Sequence, residues 1–281
     1  RTSASHACSR GSTSSLADSA ARVSALAFAA ASRRARALGF FERVFDGSEP
    51  AGAVLAYLKG QPHGALSEAL GAAEALAARA DMGKIADAGA LTGELLRLLG
   101  FNLNFAPVLD LDHFPGHANA LRGRCWGRDP QRVIDYAGQW NRWMRRQSIA
   151  SCAKHFPACG RAVSDPHHDL PSSPATLEEL LREDVIPYTA LMPELDSIML
   201  AHIEFPNIDP DFPASLSPKI IRRFLRDQLG FDRHLVMTDD LDMGAITKRY
   251  GRGEDVKLAI RAGNDLAMIC HRVDTAEVAA R

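Results

Sequence analysis

No apolar run in this sequence approaches the roughly 18–20 residues of a membrane-spanning helix, so no membrane partner is expected. The Ala-rich stretch "VSALAFAAAS" (23–32) lies too far from the start to read as a secretory signal. Excess charge is lacking too: 33 Lys and Arg face 34 Asp and Glu, a formal net charge of -1. That balance leaves no basic footprint for a nucleic acid. Neither G-x-G-x-x-G nor G-x-x-x-x-G-K-[ST] occurs, which argues against a doubly wound nucleotide-binding sheet. The five cysteines (Cys8, Cys125, Cys152, Cys159 and Cys270) are odd in number and form no C-x-x-C pair. They read as free thiols in a reducing, cytoplasmic compartment.

What is present is a chain of 281 residues, 46% hydrophobic, long enough for one large core. Residues 1–50 are rich in Ser, Ala and Arg and carry no convincing strand. They are expected to stand apart from a catalytic domain spanning 51–281, in which 51–60 offers one short strand. From about residue 84 helical and strand patterns alternate. A helix carrying Leu91, Leu95, Leu98 and Leu99 stops at Gly100, and the strand 103–111 follows. Asp129–Pro130 caps a helix that buries Val133, Tyr136, Ala137, Trp140 and Met144. After the strand 149–153, Thr176 and Glu179 form a capping box for the next helix. The strand 197–201, a helix opened by Ser217–Pro218, the strand 235–238, a helix near 253–262 and the strand 266–270 complete the series. Apolar strands linked by helices imply a parallel sheet covered on both faces.

The strands end on polar residues: Asp110 and Asp112, Lys154 and His155, His202, and Asp239 and Asp240. Charged groups at the C-terminal ends of several strands are the pattern of a barrel active site. The expected fold is therefore a (β/α)8 TIM-type barrel.

Asp239 and Asp240 are the foremost candidates. Neighbours on a strand point to opposite faces, so only one of them faces the barrel mouth, and parity does not say which. Helix-start acids account for the pair equally well. In the loop 160–171, Asp165 and His167 stand two apart, a spacing that lets a carboxylate fix an imidazole tautomer for proton transfer. A solvated polar loop is the alternative. His113 and His117 beside Asp110 and Asp112 match no strong metal-ligand spacing, and no metal or cofactor is expected. Arg124 and Arg128 serve as loop anchors or bind an anionic or hydroxyl-rich ligand.

Four stretches in order, "AKHFP", "DPHHDLP", "AHIEFPNID" and "VMTDDLDMGAI", resemble the bacterial β-N-acetylglucosaminidases of glycoside hydrolase family 3. "NFAPVLDLD" and "GRCWGRDP" extend the resemblance over roughly residues 84–270. It implies that Asp239 is the nucleophile and Asp240 structural. It also implies His167 as acid/base with Asp165 as its partner, and Arg124, Lys154, His155 and His202 as sugar-binding residues. The substrate so implied is a small carbohydrate, a β-linked N-acetylglucosamine in peptidoglycan fragments, turned over with retention by a monomer. A histidine acid/base repels an incoming anion less than a carboxylate, which leaves phosphate open as an acceptor.

The sequence also departs from that pattern. Ala158 and Cys159 stand where the family has Gly and His, and Pro166 replaces the serine of D-S-H. No "DQEGGR" segment is found, so the barrel is expected to be irregular or incomplete at its N-terminus and to lack its last helix. Two rivals follow. One is an inactive relative that binds sugar at most. The other is a metal-dependent amidohydrolase-like barrel using Lys154, His202 and Asp239.

Overall fold

The computed structural model describes residues 73–115, 119–272, 275 and 277. The expected boundary at residue 50, the strand expected in 51–60, Cys8 and His117 all lie outside these residues. Four strands are present among them: β1 (Leu103–Asn104), β2 (Ala150–Phe156), β3 (Ser197–Leu200) and β4 (Leu235–Thr238). All neighbours are parallel, in the order β1-β2-β3-β4. Helices α1 (Ala73–Arg79) and α2 (Met82–Leu98) precede the sheet, and α3 (Pro130–Arg145) joins β1 to β2. Helices α4 (Leu177–Arg182) and α5 (Ile186–Leu191) lead to β3, and α6 (Lys219–Gln228) leads to β4. Helices α7 (Gly244–Thr247) and α8 (Glu254–Ala262) follow. Sequential parallel strands with a helix in every crossover form an arc of a barrel.

Local sequence explains most helix boundaries. The Asp129 carboxylate accepts from Arg132 N at 2.9 Å with Pro130 at the first helical position. Thr176 and Glu179 exchange both bonds of a capping box. α6 is wound wider than an α-helix, in π fashion, and Leu229 N–H reaches back five residues to Phe224 O at 3.0 Å.

The sheet is buried on both faces. On one face Cys152, Met199 and Met237 pack together with Leu103 and Met268. On the other, Phe156 meets Tyr188 edge-on at 5.3 Å and lies 5.7 Å from the Phe224 ring, within the main core. Cys125, Cys152, Cys159 and Cys270 are free thiols, and burial pushes the Cys152 thiol up to about 11.

The structure corrects several sequence expectations. The strand expected over 103–111 is a ladder only at Leu103–Asn104, because Pro107 has no N–H to give. The segment still tracks β2, through Cys152 N to Ala106 O at 2.9 Å and Leu109 N to Lys154 O at 2.8 Å. β2 runs on past residue 153, so Lys154 and His155 sit on the strand itself. The strand expected over 266–270 reduces to a single bridge, Met237 with Leu266. There Met268 N and Cys270 N donate to Thr238 Oγ1 and Asp240 Oδ1, both at 3.0 Å, and not to ladder carbonyls. The leucine face expected on α2 is also displaced: Leu99 is exposed, and the buried stripe includes Ile85, Ala88, Gly89, Leu91 and Gly93. Small residues let α2 approach α3 closely, since a Cβ on Gly89 would sit 2.3 Å from the Trp140 carbonyl oxygen.

Candidate active site

β4 delivers Asp239 to the C-terminal edge of the sheet, where its backbone N–H donates to Leu200 O at 3.0 Å. Strand parity fixes its direction. Met237 faces the Cys152–Met199 layer, and a residue two further along points to the same side. Asp240 points the other way. Its Oδ1 accepts from Asp242 N and Cys270 N, both at 3.0 Å, and its Oδ2 lies 2.9 Å from His271 Nδ1. Asp240 therefore ties the end of β4 to the 266–271 segment.

Lys154 and two histidines flank Asp239. His155 Nε2 lies 3.8 Å from its Oδ2, and Asp240 N donates to its Oδ1 at 2.8 Å. Burial alone raises its pKa. The charges of His155 and His202, the Asp240 N–H and Lys154 outweigh that effect and hold the carboxyl below the usual range. Lys154 is pushed the other way, its pKa lowered by burial first and by the neighbouring Arg124 second, with Asp239 opposing both.

The histidines beside Asp239 are locked from behind. Asp110, itself buried, accepts His155 Nδ1–H at 2.8 Å, His155 backbone N–H at 2.9 Å and Gly160 N–H at 3.1 Å. That arrangement turns His155 Nε2 toward Asp239. His202 is buried, with Nδ1 2.7 Å from Ser215 Oγ and Nε2 3.0 Å from Asp240 O. Burial lowers its pKa, against the pull of Asp239. Both ring nitrogens are engaged inside the protein, so His202 braces the turn below Asp239.

Asp165 and His167 come together as their spacing predicts. Asp165 Oδ1 lies 2.7 Å from His167 Nδ1 and accepts the His167 backbone N–H at 2.9 Å. The His167 side chain is 58% exposed, free to meet a ligand. Slight burial raises the Asp165 pKa, but the two bonds from His167 outweigh it and the carboxyl sits below its usual value. The neighbouring His168 backbone N–H donates to Asp165 O at 3.0 Å, so the loop curls into a single turn.

Arg124 donates from Nη1 to Ala120 O at 2.8 Å and, with Lys154, lines a cavity of about 330 Å³ walled by Phe105, Trp126 and Trp140. Ala158 has φ of -169°, an extended backbone that any residue adopts, so the loss of glycine at this turn carries no strain. His113 is a structural partner: its Nε2 lies 2.7 Å from Asp184 Oδ1, while Arg161 Nε donates to Asp184 Oδ2 at 2.7 Å. That arginine already occupies the acid pair Glu183–Asp184, where a cation would otherwise sit.

Sequence reasoning noted Asp110 at a strand end but gave it no role, and it missed Ser215 and His271 altogether. Their partners lie 13 to 45 residues away, so no local spacing signals them.

A carboxylate flanked by Lys154, His155 and His202, at the C-terminal edge of a parallel helix-covered sheet, marks a barrel domain with its site in the position usual for that fold. Residues 59–280 match the model of the glycosyl hydrolase family 3 N-terminal domain, and the chain belongs to that family. Its fold class is accordingly the (β/α)8 TIM-type barrel. A beta-hexosaminidase of Pseudomonas aeruginosa is 35% identical over 191 residues, 68% of this chain and 56% of that protein. The chain thus spans about half the length of the curated relatives it matches. The solved structure of a family 3 beta-N-acetylglucosaminidase from Paenibacillus sp. str. FPU-7 is 37% identical with a TM-score of 0.68. The match covers 76% of this chain and 39% of that one. A structure of NagZ from Neisseria gonorrhoeae in complex with N-trifluoroacetyl-D-glucosamine is 29% identical with a TM-score of 0.63. There the match covers 71% of this chain and 56% of that one.

Proposed function

We propose that this chain is a retaining glycosidase that removes β-linked N-acetylglucosamine from peptidoglycan-derived fragments, with Asp239 as nucleophile and His167–Asp165 as acid/base. The observation that carries the reading is the Asp239 carboxylate at the end of β4, 3.8 Å from His155 Nε2 and with its pKa lowered. An Asp-bonded histidine on an exposed turn supplies the second group that retention requires. The family membership and the glucosamine-derivative complex of the Neisseria relative support the sugar.

In the first half-reaction an Asp239 oxygen attacks the anomeric carbon. The bond from that carbon to the leaving oxygen breaks, and the oxygen keeps the electron pair. It takes a proton from His167 Nε2, since Nδ1–H is committed to Asp165. In the second, neutral His167 removes a proton from water as the water oxygen attacks the same carbon and releases Asp239. Two inversions give net retention. Phosphate can replace water as acceptor, and then a sugar phosphate leaves. Arg124, Lys154, His155 and His202 hold the sugar or brace the groups that do. No step calls for a metal or cofactor.

The reading extends to a cytoplasmic monomer whose catalytic barrel domain spans 51–281, with 1–50 a separate segment of the chain. Among the described residues no helix is long and apolar enough to cross a membrane.

The test is release of 4-nitrophenol from its β-N-acetylglucosaminide, with and without phosphate, by the unaltered chain and by Asp239→Ala. Turnover that falls by about 10⁴-fold or more in the variant, with circular dichroism unchanged, is the expected result. Turnover that persists in Asp239→Ala sinks the assignment, and turnover that rises with phosphate makes the chain a phosphorylase.

A further inference from the structure

The loop carrying Asp165 and His167 does not hang free. Gly244 N–H donates to His167 O at 3.0 Å, and Ala245 N–H donates to Pro166 O at 3.1 Å. These are first-turn N–H groups of α7, which have no partner within the helix. Lys248, the C-cap of the same helix, places its Nζ 3.9 Å from Asp169 Oδ2. The loop backbone comes so near that a Cβ on Gly244 would stand 2.6 Å from His168 O and 2.7 Å from His167 O. Both are backbone atoms, so no side chain can swing away to make room.

α7 belongs to the segment that leaves the nucleophile. Met243 N–H donates to Asp240 O at 3.0 Å, and Asp242 is salt-bridged to the buried Arg252, which also binds Asp255 at 2.7 Å. The six residues from Asp239 to Gly244 are thereby a braced turn, and the acid/base loop is seated on its far end.

We propose that Gly244 is a positioning residue: its missing side chain lets the 165–169 loop dock on α7, which sets the His167–Asp165 pair at a fixed distance from Asp239. The proposal rests on the assignment of His167 as acid/base. Pro166 fits the same device, because its carbonyl is one of the two docked oxygens and its ring limits the backbone on either side. Gly244→Ala pushes the loop off the helix while leaving β4 and Asp239 in place. The loss then falls on proton donation to the leaving group, where small displacements are costly.

The experiment compares kcat/KM for 4-nitrophenyl and 2,4-dinitrophenyl β-N-acetylglucosaminides, because the second leaving group departs without a proton. Gly244→Ala is expected to lose about 10- to 100-fold on the first and less than about threefold on the second, the pattern expected of His167→Ala. Gly251→Ala, whose new Cβ would meet nothing within 4 Å, serves as control and keeps both rates. Amide hydrogen exchange over 163–170 should accelerate in Gly244→Ala alone. Equal losses on both glycosides, or no loss on either, overturn the proposal. If the unaltered chain turns over neither glycoside, the acid/base assignment itself has failed and exchange alone decides the docking. Unchanged protection of 163–170 in Gly244→Ala then overturns it.

Discussion

Asp110 grips His155 at two points, its Oδ2 accepting the backbone N–H at 2.9 Å and the ring Nδ1–H at 2.8 Å. The far ring nitrogen is left 3.8 Å from Asp239. A buried carboxylate with three donors converging on it is costly to alter. Asp110→Asn keeps the volume but sets an amide N–H₂ against N–H groups. We expect it to lower unfolding free energy by about 2–4 kcal/mol, read from the urea midpoint. An unchanged midpoint would show that the Asp110 bonds contribute nothing net.

The low pKa directions of Asp239 and Asp165 make a prediction about pH. Both groups sit below the ordinary carboxylate range, so both stay ionised as the solution is acidified from neutrality to about pH 5. With a 2,4-dinitrophenyl glycoside, which needs no proton donor, kcat/KM should stay flat over that interval. A limb in that range with one-proton slope, shared by His167→Ala, would mean that the nucleophile's carboxyl is raised and not lowered.

Away from the site, Asp196 ties the start of β2 to α3. It accepts Arg145 Nε at 2.9 Å and Nη2 at 2.8 Å, together with Ser151 N at 2.8 Å. Burial raises its pKa, but the Arg145 and Ser151 bonds outweigh this and leave it lowered. A carboxyl depressed on folding adds stability that is present above its unfolded value, about 3.9, and lost as pH falls through the folded value. Asp196→Asn should therefore cost about 1 kcal/mol at pH 7, a modest figure because the pair is half-exposed. The gap between the two proteins should close below about pH 4. Thermal unfolding at pH 7 and pH 3 reads this, and a gap that widens in acid refutes it.

The parts of this molecule legible in the sequence are those set by near neighbours. Asp129–Pro130 and Thr176–Glu179 cap their helices as their spacing predicts, because an N-cap is a contact over three residues. Asp165 and His167 pair for the same reason. The strand ends were visible as apolar runs stopping on charge. Direction across the sheet was not, since only the packing of Met237 on Cys152 and Met199 tells which of two adjacent acids faces inward. The 266–270 segment reads as a strand, yet beyond Leu266 the Met268 and Cys270 N–H groups go to side chains of β4 and the following turn. The closeness of Gly244 to the His167 loop spans 77 residues and leaves no local trace.

The two adjacent acids after β4 should separate cleanly in experiment. Among the described residues Asp239 accepts one hydrogen bond, from the neighbouring Asp240 N, and otherwise faces Lys154, His155 and His202. Asp240 takes two backbone N–H groups and lies 2.9 Å from His271 Nδ1, with its side chain only 10% exposed. Removing Asp240 strands those donors at the join between β4 and the 266–271 segment. Asp240→Ala should lower stability by about 2–3 kcal/mol and reduce turnover only as far as the loosened turn displaces Asp239. Asp239→Ala should do the reverse, with turnover gone and the smaller shift in urea midpoint. Urea denaturation and glycoside hydrolysis on the same two preparations decide it. If Asp240→Ala loses turnover as completely as Asp239→Ala while its midpoint holds, Asp240 takes part in the chemistry and its structural role is wrong.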